Sequence, residues 1–136
     1  MQLLESIIRL LSRFRYPVSL PEDVARDLGL FLPNTLGFRD FLRLLASPHH
    51  RCARLHKYIS RHRAEAVFES ALQTEKFKSC TLISYYFNKG WLVFTLHFDE
   101  QMLLTRISIQ CPACERIEGF DLPLDEKPAL AKLSHF

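Results

Sequence analysis

A chain of 136 residues with 48% hydrophobic, 24% charged and 12% aromatic content is long enough to bury one core and too apolar to stay disordered. Its formal net charge is +3, it has no apolar run near 18 residues, and its four cysteines are too few for a small disulfide scaffold. These bounds predict a single globular domain over residues 1–136, with no membrane span and a reducing, cytoplasmic setting.

Along the chain, Leu3, Leu4, Ile7, Ile8, Leu10, Leu11 and Phe14 recur at three- and four-residue spacing, which predicts an amphipathic helix ending before Pro17. Glu5 interrupts the apolar run and the arginines follow it, the reverse of a secretory signal. Ser19-Leu20-Pro21-Glu22 has the pattern of a capping box, opening a helix that runs to Leu28 with Gly29 as its stop. Ala25 and Gly29 have the spacing of the helix crossing in helix-turn-helix domains, but Pro33 and Gly37 interrupt the place of a recognition helix, so helix packing is the simpler use. Asn34 or Thr35 caps a third helix with the apolar face Phe38, Phe41, Leu42 and Leu45. Ser47 and Pro48 then open a fourth, which continues through Val67, Phe68, Ala71 and Leu72.

After Phe77 the period changes to alternation. Thr81 to Phe87 and Trp91 to Phe98 read as strands joined by Asn88-Lys89-Gly90, and Leu103 to Gln110 as a third, with Leu103, Thr105, Ile107 and Ile109 on one face. The tail holds Pro112, Pro123 and Pro128 and a short helix from Pro128 to Leu133. The predicted fold is α+β: about four N-terminal helices packed on a three-stranded antiparallel meander. Residues 1–76 are mainly helical and basic, and 77–136 mainly β and acidic.

Charge is the strongest functional signal. Residues 1–63 hold 11 Lys and Arg against 5 Asp and Glu, a net +6, and the rest hold 7 against 10, a net −3. Between Pro48 and Arg63 there are five Lys and Arg, four histidines and no acid. On a helix, His50, Arg54, Lys57 and Arg61 form one stripe suited to phosphates, with Arg51, Arg63, Arg39 and Arg43 in support. Tyr58, or Tyr85, Tyr86 and Trp91, can supply bases with a stacking platform, although core packing uses most such residues.

Cys111-Pro112-Ala113-Cys114 is half a zinc-knuckle pattern. Cys52 and His56, spaced i and i+4 on the predicted helix, are the candidate remaining ligands; the simpler reading is two reduced cysteines in a turn. No phosphate loop, nucleophile elbow or metalloprotease motif is present, and His97 near Asp99, Glu100 and Cys80 reads as structural, so the chain is expected to be non-enzymatic. Two functions remain. One is a cytoplasmic nucleic-acid-binding or regulatory module whose basic helix holds nucleic acid or an acidic protein surface. The other is a protein-interaction module such as an adaptor, complex subunit or secretion-type chaperone, with a homodimer compatible with both.

Overall fold

The computed structural model describes residues 18–30, 37–47, 52–87, 90–111 and 119–126. The first expected helix, the short C-terminal one, His50, Arg51 and Cys114 lie outside them.

Helix α1 (Pro21–Leu28) starts where proline's missing N–H costs nothing, and the Leu20 N–H is accepted by Asp23 Oδ2 at 3.0 Å. The cap is thus one residue later than the Ser19–Glu22 pattern implies. Gly29 ends the helix at φ 74°, where a Cβ would lie only 3.0 Å from the Ala53 Cβ. Helix α2 (Phe38–Ala46) is capped by Gly37, not Asn34 or Thr35, and buries the expected Phe41, Leu42 and Leu45.

The fold expectation fails at the fourth helix. Among the described residues only α3 (Arg61–Ala66) is helical there; residues 52–60 are an irregular segment tied to the sheet. The Tyr58 N–H donates to Leu104 O at 2.6 Å, Leu104 N–H to Ile59 O at 2.9 Å and Lys57 N–H to Asp125 O at 2.8 Å. Cys52, Leu55 and Ile59 are buried, so their helix-like spacing is met by a non-helical path. Cys52, His56, Tyr58, Ile59 and Ser60 give this stretch only a modest intrinsic helix preference, and pairing with the sheet outweighs it.

Among the described residues the sheet has five strands, not three, in the order β1 (Gln73–Lys76), β2 (Cys80–Phe87), β3 (Gly90–Phe98), β4 (Leu104–Gln110) and β5 (Phe120–Asp121), all antiparallel. The three central strands match the alternating runs. A register shift at His97/Phe98 pairs Leu104 with Phe98 and turns Leu104 to the buried face, in place of Leu103 and Thr105. The outer strands carry no usable pattern: β1 is exposed at every residue and β5 has two residues.

One face of the sheet, built from Ile83, Tyr85, Phe87, Leu92, Phe94, Leu96, Ile107 and Ile109, is covered by the helices. Phe38 packs on Phe87 with ring centroids 4.9 Å apart, and Phe68 on Phe94 at 5.5 Å. The other face is partly exposed. Among the described residues no helix is long and apolar enough to cross a membrane.

Candidate interaction surface

The basic residues expected on one stripe do not share one. Arg54 is exposed beside Gly29, its N–H reaching Leu28 O at 3.4 Å. Lys57 is half-buried, Arg63 is exposed in the first turn of α3, and Arg39 and Arg43 are exposed on α2. Arg43 approaches Asp40 at 3.8 Å.

Arg61 points inward. It opens α3 under Ser60, whose hydroxyl accepts the Arg63 N–H, and the helix repeat sets Glu65 on the same face, with Glu65 Oε2 at 3.3 Å from Arg61 Nε. Arg61 Nη2 donates to Phe77 O at 2.6 Å, Cys80 O at 3.1 Å and Thr81 Oγ1 at 3.1 Å, while Nη1 donates to Lys78 O at 3.0 Å. The guanidinium also lies 5.1 Å from the centre of the Phe98 ring. A planar fork of five donors suits this ring of carbonyls in a way that a lysine ammonium does not.

Glu65 completes the arrangement. Its Oε2 accepts from the Thr81 hydroxyl at 2.6 Å, and Oε1 lies 3.4 Å from Lys76 Nζ. Burial pushes its pKa up most strongly, but the hydrogen bonds of Thr81 and Arg61 and the charge of Lys76 together outweigh burial and hold it below the ordinary value.

By fixing the β1–β2 turn, Arg61 fixes what that end of the sheet shows to solvent. The β3–β4 turn lies beside it, with the Phe98 N–H donating to Ser79 O at 2.9 Å and the Arg61 N–H to Met102 O at 3.0 Å. Phe77 is 51% exposed, Tyr58 55% and Met102 37%, three of the five large hydrophobics that the described residues leave exposed. Among the described residues, Tyr58 and Met102 are also the two non-glycine ones with left-handed backbone, at φ 68° and 61°. Such a backbone costs on the order of 1–3 kcal/mol, and both are held in it by hydrogen bonds. In the second turn, Asp99 Oδ1 accepts the N–H groups of Gln101 and Leu103, each at 2.9 Å.

Of these residues only Tyr58 stood out in the sequence. The readable signals for the others were a phenylalanine between two lysines, Lys76-Phe77-Lys78, and an aspartate opening a short turn before Met102.

Elsewhere, two polar groups serve the fold. Asp27 is buried at the sheet's other flank, where Oδ2 accepts from Tyr85 Oη and the Ser70 N–H, each at 2.8 Å, and Oδ1 from the Ser70 hydroxyl at 3.1 Å. Burial, with the Asp27 bond, drives the Tyr85 pKa far upward, so it stays a neutral donor. On the open face His97 Nε2 lies 3.0 Å from Ser108 Oγ, and Arg106 forks onto Asp121 at 2.8 and 2.9 Å. Burial, then Arg106, lower the His97 pKa against the opposing pull of Asp121.

The candidate zinc ligands are not assembled as expected. Cys52 and His56 share no helix face, His56 Nδ1 lies 2.8 Å from Lys57 O, and Cys52 and Cys111 are buried. Among the described residues no three His, Cys, Asp or Glu side chains group to hold a metal. No family model matches the chain, and comparison with curated proteins and with solved structures finds no match to it.

Proposed function

We propose that the chain is a non-enzymatic protein-interaction module that docks its partner on the sheet end formed by Tyr58, Phe77 and Met102. The observation that carries this reading is the placement of three exposed large apolar residues, two of them on strained backbone, at the one sheet end whose turns Arg61 ties together. Aromatic and methionine side chains are enriched at protein interfaces, and isolated exposed apolar residues would not need so costly a scaffold.

The test is a photo-cross-linking amino acid placed at position 77, at 102 and, as a control, at the exposed Arg39 position, followed by mass analysis of the adducts. Discrete protein adducts at 77 and 102 that are absent at 39 are expected. Equal or no adducts at all three positions would end the reading.

Nucleic-acid binding keeps one supporting observation, the exposure of Arg39, Arg43, Arg54 and Arg63. It predicts binding of random RNA or duplex DNA that weakens linearly with salt on logarithmic axes and is lost on charge reversal of those arginines. Salt-insensitive or absent binding in an anisotropy titration would remove it.

A further inference from the structure

We propose that the partner at this surface is a second copy of the chain, docked across a two-fold axis beside Arg61; the proposal rests on the reading of the sheet end as an interaction surface. The two turns at that end carry opposite charge. Lys76 and Lys78 flank Phe77 in the first, and Asp99 and Glu100 precede Met102 in the second. They are neighbours, joined by the bond from Phe98 N–H to Ser79 O and by Arg61, which touches both.

Within each turn one charge is already engaged. Lys76 meets Glu65, and Asp99 accepts two backbone N–H groups. Lys78 and Glu100 are exposed and enter no ion pair among the described residues. A two-fold operation exchanges the turns, so Lys78 faces the partner's Glu100 twice, and the Phe77 ring meets the partner's Met102 twice.

A surface split into a basic and an acidic half is complementary to itself when rotated. A polyanion would be repelled by the Asp99–Glu100 half, and a uniformly charged protein partner by one half or the other. The apolar centre is small, so the dimer is weak and concentration-dependent.

The experiment is sedimentation equilibrium of the full chain over about a hundredfold range of concentration. Wild type is expected to follow a monomer–dimer equilibrium. Lys78→Glu and Glu100→Lys each place like charges opposite one another twice, and each is expected to weaken self-association by about tenfold or more. Mixing the two variants puts opposite charges back at both contacts, so a mixed dimer of near wild-type affinity is expected, a rescue that a folding defect would not show. Combining both substitutions in one chain is expected to restore the homodimer.

A monomer at every concentration, or a dimer indifferent to both charge reversals, would overturn the proposal. If the chain is monomeric while position 77 cross-links to a different protein, self-association falls and the interaction reading stands. If position 77 gives no adduct beyond the control, both fall.

Discussion

Asp27 is buried among neutral donors, whereas Arg61 lies partly exposed in a ring of carbonyl oxygens and one carboxylate. Asp27 joins α1 to the strand beneath it and to Ser70, so its bonds hold the helical layer on the sheet. Arg61 joins α3 to two turns and leaves apolar side chains facing water. Charge that is fully enclosed stabilises the interior; charge enclosed at the rim shapes a surface. The difference also explains why an arginine suits the rim: its fork collects several carbonyl oxygens that the turn would otherwise leave to solvent.

The contrast can be broken by substitution. Asp27→Ala removes the acceptor for the buried Tyr85 hydroxyl and for both Ser70 donors, and is expected to cost about 3 kcal/mol in urea unfolding, with a matching fall in thermal midpoint. Gly29→Ala, next to that cluster, forces a Cβ into left-handed backbone against Ala53 and is expected to cost about 2 kcal/mol in the same assay. Met102→Asn at the rim has the opposite character. Asparagine tolerates the left-handed backbone, so stability is expected to hold or rise by up to about 1 kcal/mol while cross-linking and self-association at that end fall.

Acid sharpens the comparison. The His97 pKa is lowered in the fold, so the stability it contributes is complete above the ordinary histidine value of about 6.5 and is lost as pH falls toward the folded value. Glu65, also lowered, contributes above its ordinary value of 4.5 and loses that contribution in stronger acid. Urea midpoints are therefore expected to decline in two steps, one as pH falls below about 6.5 and the second as it falls below 4.5, and His97→Gln to remove the upper step. The smallest effect belongs to Arg106→Ala, whose ion pair with Asp121 is exposed on both sides; the melt is expected to be unchanged.

Much of the interior was legible. The apolar faces of α1 and α2 and the alternation of β2 and β3 are local signals, repeated often enough to survive tertiary context. The outer strands were not, because β1 is polar on both faces and β5 is too short to show a period. The basic run misled for a related reason: burial of Cys52, Leu55 and Ile59 satisfies a helical spacing, while the deciding bonds come from Leu104 and Asp125, far along the chain. Arg61 looked like its basic neighbours, since nothing beside it in sequence names the carbonyls of Phe77, Lys78 and Cys80 as its partners.

The most direct test of Arg61 as the residue that shapes this surface is amide hydrogen exchange in Arg61→Lys. The lysine keeps the charge and loses the fork. Exchange of the Phe77 amide, which closes the first turn on Cys80 O, and of the Phe98 amide, which joins the second turn to the first at Ser79 O, is expected to accelerate about tenfold or more, while the Ser70 amide on Asp27 keeps its wild-type rate. Unchanged protection at Phe77 and Phe98 would show that the guanidinium does not hold the turns, and would return Arg61 to the surface cations.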